Sequence, residues 1–293
     1  MKKFLIGILT MMIFNISIVA AKDEPMIEVV KENIKFCESV YPYEGGLLIS
    51  NFGSESINPE EDENEGYILR YQNGMMQMLI PADGRLHKPT AMAIQNNFLF
   101  VCDADKLKIF DMKDLKADPQ EIEFASDDEV INDIAIQDNK AYVTVTNSGR
   151  VYTLDITDPK NISEPQLWVE IPGPNGIAIR KDVAYVVSIP ADYSTVTTEN
   201  IIYKITNLAD PIVERFYDVP GLYDGVAFSN SGNHIYVTDW QTASVRAIGT
   251  AKKTYKIIYR EAGIGPADLA IANGKIYIPD LINSRVIIIP ANL

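Results

Sequence analysis

The chain has 293 residues, of which 47% are hydrophobic, and its 26 basic and 40 acidic side chains give a formal net charge of −14 at pH 7. This composition is typical of a globular protein with a substantial core, and the negative charge disfavours nucleic acid and anionic membrane surfaces as partners. The two cysteines, Cys37 and Cys102, are too few for a disulfide framework, although an exported protein could oxidise this one pair. With only two histidines in addition, any metal must be held mainly by oxygen.

The first predicted element is a secretory signal peptide. After two N-terminal lysines, an uncharged and mostly apolar stretch ends at two alanines before Lys22. A retained membrane anchor is the alternative, because the stretch approaches the length that spans a bilayer. We predict that residues 1–21 are removed, that residues 22–293 form a single domain, and that the mature protein is periplasmic or secreted with no membrane partner.

A short segment then recurs six times along the chain. Its copies align on one apolar residue each, with spacings between 42 and 52 residues: Val40, Met92, Ile134, Ile177, Val226 and Leu269. Every unit contains short runs rich in Val, Ile, Tyr and Phe, separated by Asn, Asp and Gly turns, which is the pattern of β-strands and hairpins. Repeats of 40 to 50 residues with four strands each are the signature of a β-propeller.

The last unit stops after a third strand, "SRVIIIP", while an unassigned strand, "MIEVVKENI", lies near the mature N-terminus. That N-terminal strand can complete the last unit and close the ring. The sequence therefore predicts an all-β, six-bladed β-propeller with four-stranded antiparallel blades. A β-sandwich with accidental repeats is the alternative, and six copies in register disfavour it.

The innermost strands of a propeller line its central channel, so the residue two before each repeated apolar position should lie at one mouth. These six positions hold Glu38, Thr90, Asn132, Asn175, Asp224 and Ala267. Two carboxylates and two amides supply the oxygen ligands that a hard divalent cation prefers. Taken singly, Asn-Gly and Asp-Gly are also ordinary turn dipeptides.

A second set of residues ends the second strand of each unit and should return to the same mouth: Asn51, Asp103, Val145, Ser188, Asp239 and Asp280. The polar members could hydrogen-bond a substrate or the metal ligands, or could cap turns. From this set we predict that Asp103 and Asp239 bind substrate. Trp240 and Tyr223 flank the fifth unit's site, where they either form an apolar side of the site or pack within the blade.

Four short motifs carry a resemblance to a known family: "ESV" from residue 38, "IND" from residue 131, "PNG" from residue 174 and "YDG" from residue 223. Together with the six units they resemble the gluconolactonase, regucalcin and senescence-marker family of six-bladed propellers. This resemblance covers nearly the whole mature chain. It implies a metal-dependent hydrolase of a small-molecule lactone or related ester, which the predicted signal peptide makes an exported enzyme. Because propellers are often monomeric, we expect a monomer.

The same resemblance implies that Glu38, Asn175 and Asp224 bind one divalent cation, with Glu44 as a nearby alternative to Glu38. The expected cation is Ca²⁺, and Mg²⁺, Mn²⁺ and Zn²⁺ are alternatives. Asp224 is also expected to be catalytic, and Asn132 to bind substrate. Sugar lactonases of this family carry an arginine two residues before that asparagine, where this chain has Val130, so the identity of the substrate stays open.

Two further interpretations remain. A non-catalytic propeller related to NHL repeats would bind a protein or glycan partner, with a structural ion or none. Calcium sequestration outside the cell fits the acidity but requires no asparagines in the channel.

Overall fold

The computed structural model describes residues 27–57 and 64–291. These residues form 24 strands arranged in six antiparallel sheets of four strands each, which confirms the predicted all-β, six-bladed propeller. The predicted signal peptide lies outside the described residues. Within the described ranges, the chain forms no helix long and apolar enough to cross a membrane.

The first five blades each consist of four strands that are consecutive in the chain. Blade 1 contains β2 (Cys37–Tyr43), β3 (Gly46–Asn51), β4 (Tyr67–Gln72) and β5 (Met75–Ile80); blade 2 contains β6 (Pro89–Gln95), β7 (Phe98–Asp103), β8 (Lys106–Asp111) and β9 (Gln120–Glu123). Blade 3 contains β10 (Ile131–Gln137), β11 (Lys140–Val145), β12 (Arg150–Asp155) and β13 (Gln166–Glu170); blade 4 contains β14 (Pro174–Arg180), β15 (Val183–Ser188), β16 (Ile202–Thr206) and β17 (Ile212–Tyr217). Blade 5 contains β18 (Tyr223–Phe228), β19 (His234–Asp239), β20 (Ser244–Gly249) and β21 (Tyr255–Arg260).

Blade 6 joins the two ends of the chain. It contains β22 (Ala270–Ala272), β23 (Lys275–Asp280) and β24 (Arg285–Pro290), and its outermost strand is β1 (Glu28–Val30). Val30 of β1 lies opposite Val286 of β24 in an antiparallel ladder. Pairing of the first described strand with the last closes the ring, as predicted, and leaves no open edge between the first and last blades.

The hydrophobic core lies between neighbouring blades. Side chains alternate across each strand, so every blade presents one apolar face to the blade before it and one to the blade after it. One cluster joins Phe100 and Ile109 of blade 2 to Ile131 and Val143 of blade 3, for example. The two cysteines are free buried thiols in two different clusters. The disulfide that the sequence left open is therefore absent.

A β-bulge interrupts the innermost strand of each of the first five blades. In blade 1, Cys37 pairs with Asn51 and Val40 pairs with Ile49, so two residues of β2 lie opposite the single Ser50 of β3. The same shift occurs in β6, β10, β14 and β18. Bulges bend a strand and redirect its side chains, and they are enriched next to active sites. The predicted channel residues of these five blades are the first residues of the bulges.

Hydroxyl groups satisfy the backbone at alternate bulges. In blades 1, 3 and 5, the N–H of the second bulge residue donates to a hydroxyl oxygen on the next strand: Ser39 to Ser50 at 2.9 Å, Asp133 to Thr144 at 3.0 Å, and Gly225 to Thr238 at 2.6 Å. The hydroxyls of Ser50 and Thr144 in turn donate to carbonyl oxygens of the following blade, at Thr90 and Asn175. These bonds join adjacent blades around the channel.

Close packing of the innermost strands explains two glycines. A Cβ at Gly176 would lie 2.4 Å from the carbonyl oxygen of Asp224, and one at Gly225 would lie 2.6 Å from the Cα of Asp268. Neither glycine has a positive φ. The Asn-Gly and Asp-Gly pairs are therefore not turn dipeptides here, because each glycine lets the strand of the next blade approach.

We expect Gly225→Ala to lower the free energy of unfolding by about 1–3 kcal/mol, the usual cost of overpacking. The added methyl group would meet backbone atoms of the next blade, which cannot rotate away. Chemical denaturation measures the change. Gly249→Ala in the same blade is the control, since a Cβ there would have no neighbour closer than 3.4 Å. Equal stability of the two variants would contradict this account of the interface.

Candidate functional site

Four polar residues occupy the first position of the bulge in blades 1, 3, 4 and 5: Glu38, Asn132, Asn175 and Asp224. All four are buried, with exposed fractions between 2% and 9%. The structure thus brings together residues that are nearly 190 positions apart in the chain, as their repeat position predicts. Glu44 lies instead in a turn, where it pairs with Arg70 at 2.6 Å, so it does not replace Glu38.

The carboxylates of Glu38 and Asp224 lie in a buried and negatively charged environment. Burial raises the pKa of Glu38 well above its ordinary value, and the negative charges of Asp224, Asp268 and Asp133 raise it further. Burial also raises the pKa of Asp224, to about 7. The Trp240 indole lowers this pKa in part, and the negative charge of Asp133 raises it. Because desolvation and the neighbouring negative charges both disfavour the ionised carboxylates, this part of the channel favours a bound positive ion.

Two carboxylates of this cluster were missed by the sequence analysis. Asp133 occupies the second bulge position in blade 3, and Asp268 occupies the corresponding position in blade 6. Asp133 accepts hydrogen bonds from its neighbour's N–H and from the N–H of Ile177 at 2.6 Å, while Asp268 accepts one from Ser39 at 2.6 Å. Both therefore join neighbouring blades and add negative charge to the channel.

Two oxygen atoms of the site have no partner among the described residues. Oδ1 of Asn175 and Oδ1 of Asp224 are buried and accept no hydrogen bond there. Buried polar atoms are nearly always paired, so each such exception requires an explanation. Two carboxylates and one amide supply the oxygen ligands that a hard divalent cation prefers. The donor set of the site therefore fits the predicted cation.

Within residues 27–57 and 64–291, no three His, Cys, Asp or Glu side chains are close enough to form a metal site by themselves. The predicted set contains only two such side chains, because its third member is the amide of Asn175. The amide ligand is thus a necessary part of the donor set.

Three of the residues that end the second strands, Asp103, Asp239 and Asp280, form ion pairs within their own blades. Asp103 pairs with Lys108 at 3.0 Å and accepts hydrogen bonds from the N–H of His87, and its side chain is fully buried. Asp239 pairs with Arg246, although one of its oxygens remains without a partner in the described part of the chain. This geometry gives both carboxylates a structural role within the blade. The substrate-binding roles predicted for Asp103 and Asp239 gain no support from it.

The two aromatic residues of blade 5 have different roles. Tyr223 is fully buried, donates from its hydroxyl to the carbonyl of Val219 at 2.9 Å, and lies under the Arg246 guanidinium, so it packs within the blade. The indole of Trp240 lies near Asp224, whose pKa it lowers. Its Nε1 is nonetheless not aligned for a hydrogen bond with any group that the structure describes.

A third aromatic residue reaches the same region from a loop. Tyr193 lies between β15 and β16 with a φ of 54°, and its N–H donates to the carbonyl of Pro190. Burial of the phenol raises its pKa, and the charges of Asp224 and Glu38 raise it further. Tyr193 is nevertheless 48% exposed. Nothing in the repeat pattern singles out a loop residue.

In the metal-free protein, the free energy of unfolding should fall as pH rises from 5 to 8. The pKa values of Asp133 and Asp224 are about 6 and about 7 in the folded state, against ordinary values near 4 in the unfolded chain. The folded state therefore holds protons that the unfolded state has released, and this stabilisation is lost as pH rises through the folded pKa.

The expected loss is at least about 1 kcal/mol, since one pKa unit corresponds to about 1.4 kcal/mol. Chemical denaturation in chelator across this range measures it. Asp224→Asn should flatten the dependence, because the amide does not titrate. A free energy of unfolding that rises with pH in the metal-free wild type would contradict the electrostatics described above.

Comparison with solved structures supports the fold. A gluconolactonase from Xanthomonas campestris superposes with a TM-score of 0.70 at 15% identity, over 90% of this chain and 89% of that chain. A structural genomics protein of unknown function from Bacteroides thetaiotaomicron superposes with a TM-score of 0.66 at 11% identity, over 91% of this chain and 76% of that chain. The sequence itself matches no protein-family model and no curated protein. At these identities the likeness establishes a shared fold.

Proposed function

We propose that this protein is a divalent-metal-dependent hydrolase of a lactone or related ester, with its active site in the propeller channel. The observation that carries the proposal is the pair of buried oxygens without partners, on Asn175 and Asp224, beside the carboxylate of Glu38. The fold shared with a gluconolactonase is consistent with this chemistry.

Glu38, Asn175 and Asp224 would hold the cation, with Ca²⁺ as the first candidate because every donor is an oxygen. When bound, such a cation supplies Lewis-acid polarisation of the substrate carbonyl. The two carboxylates balance its charge, and the amide of Asn175 adds an oxygen without adding charge. Asn132, buried at the same bulge position of the adjacent blade, would hydrogen-bond the substrate.

Asp224 is the proposed general base. Its carboxylate accepts a proton from water as the water oxygen forms a bond to the carbonyl carbon, and it returns the proton to the alkoxide oxygen when the ester C–O bond breaks. The Trp240 indole and the surrounding apolar packing limit access of bulk water to this carboxylate. No serine or cysteine nucleophile is required.

Thermal unfolding with Ca²⁺, Mg²⁺, Mn²⁺ or Zn²⁺ tests the cation site, since a ligand that binds only the folded state raises the Tm. At 100 times its Kd, a cation should stabilise the wild-type protein by about 2.7 kcal/mol. The increase should vanish in Asp224→Ala and Asn175→Ala. Asp118→Ala and Asn230→Ala are the matched controls, because both side chains are exposed, and they should keep it.

Absence of any shift in protein first shown to be metal-free would overturn the metallohydrolase proposal. A non-catalytic binding propeller would then be the better interpretation. A shift that persists in both channel variants would place the cation elsewhere and would equally remove the support for this active site.

A further inference from the structure

Trp240 and Ile282 form an apolar surface at the mouth of the channel. A Cβ on Gly265 would lie 2.7 Å from Cη2 of Trp240 and 2.7 Å from Cγ1 of Ile282. The two side chains therefore converge over the backbone of Gly265. Ile282 is 45% exposed although it is fully apolar. This surface spans blades 5 and 6 and ends beside Asp224, which the Trp240 indole approaches.

Tyr193 extends the apolar surface into blade 4. Its loop follows β15, which ends at the same mouth, because Ser188 pairs with Pro174 next to Asn175. The partly exposed ring of Tyr193 thus adds a third apolar group from a third consecutive blade. We call Tyr193, Trp240 and Ile282 the apolar wall.

Four basic side chains around the mouth are paired and so unavailable to an anionic ligand. Basic side chains on the third strands of four blades are each paired with carboxylates: Lys108 with Asp103, Arg150 with Asp127 and Asp128, Arg246 with Asp239, and Arg285 with Asp280. Val130, half-buried immediately before β10, supplies no charge. The carboxylates of the channel add negative potential, which repels anions.

We propose that the substrate is a neutral lactone or ester with an apolar substituent, which packs against the apolar wall while its carbonyl group faces Asn175 and Asp224. This inference rests on the proposed hydrolase function and adds to it the class of substrate. A polyhydroxylated sugar lactone would place hydroxyl groups against Trp240 and Ile282, where they would lose hydrogen bonds to water.

Two lactones with the same type of ring but different substituents separate the contribution of the substituent from that of the reacting ester group. δ-Decalactone carries a pentyl chain that δ-valerolactone lacks. With saturating Ca²⁺, the wild-type kcat/KM should be at least about tenfold higher for δ-decalactone, because even one buried methylene can change the rate tenfold. D-Glucono-δ-lactone should be a poorer substrate than δ-decalactone.

Ile282→Asn should lower the ratio of the two kcat/KM values at least about threefold, because an amide replaces apolar contact with the pentyl chain. Ile212→Asn is the matched control, since Ile212 is an exposed isoleucine on the outer strand β17 and is 55% exposed. It should leave the ratio unchanged. An unchanged ratio in Ile282→Asn, or a wild-type preference for D-glucono-δ-lactone, would overturn the proposal.

Binding of the corresponding lactams separates this inference from the hydrolase proposal. Isothermal titration with 6-pentylpiperidin-2-one and piperidin-2-one measures affinity without turnover. If neither lactone is hydrolysed but the pentyl lactam binds at least about tenfold more tightly, the hydrolase proposal fails and the preference for an apolar ligand is upheld. Equal affinities of the two lactams would overturn the inference, whether or not lactones are hydrolysed.

Discussion

Asp224→Asn should lower kcat/KM for lactone hydrolysis by at least about 100-fold, the lower bound of what a general acid–base group contributes. The substitution keeps the size of the side chain and one oxygen, but the amide cannot accept a proton from water. It also removes one of the two negative charges available to the cation. Both effects act on the same step, so this should be the largest effect of any single substitution in the channel.

Steady-state kinetics with saturating cation measures the loss, and Asp118→Asn is the control because that aspartate is exposed. The Asp224→Asn protein should remain folded, since the wild-type carboxylate is buried with one oxygen unpaired and contributes no hydrogen bond through it. Activity within about threefold of wild type, in protein whose cation is retained, would remove Asp224 from the catalytic role.

Much of the site follows from the repeat. Six copies in register determine the number of blades, and one position relative to a repeated apolar residue locates Glu38, Asn132, Asn175 and Asp224 from the sequence alone. This works because each blade repeats the same strand pairing, so equal positions in the sequence become equal positions around the axis.

The bulge explains what the sequence analysis missed. A regular strand alternates its side chains, so only one of two adjacent residues would face the channel. Two residues share one partner at each bulge, which breaks the alternation and brings Asp133 close to Glu38. Asp268 approaches Glu38 from the corresponding position of blade 6. Bulges leave little trace in a hydrophobic pattern. Carboxylates adjacent to the first position, inside an apolar segment, were the only signal available.

The sequence repeat could not predict the loop residue or the ion pairs, for a different reason. Tyr193 lies in a loop between strands, has a positive φ and reaches the region of Asp224, and a strand repeat does not predict where a loop residue lies. The three aspartates that end second strands, Asp103, Asp239 and Asp280, have their charged partners on the third strands. Sequence alone does not reveal whether a carboxylate is already paired with a neighbouring cation.

Asp239→Ala should lower the free energy of unfolding by about 3–5 kcal/mol, the cost of removing one partner of a buried ion pair. The side chain of Asp239 is fully buried and that of Arg246 is 10% exposed, so the substitution leaves a guanidinium without its carboxylate in a dry environment. Asp218→Ala is the control. It breaks an exposed pair with Arg215 at 2.8 Å and should cost less than about 1 kcal/mol.

The double variant Asp239→Ala/Arg246→Met distinguishes a structural role from substrate binding. If Asp239 acts through its ion pair, removal of both charges should recover much of the lost stability, because no buried charge remains unpaired. KM should then return towards the wild-type value together with stability. A KM that stays raised in a double variant of restored stability would instead mean that the free oxygen of Asp239 contacts the substrate, as the sequence predicts.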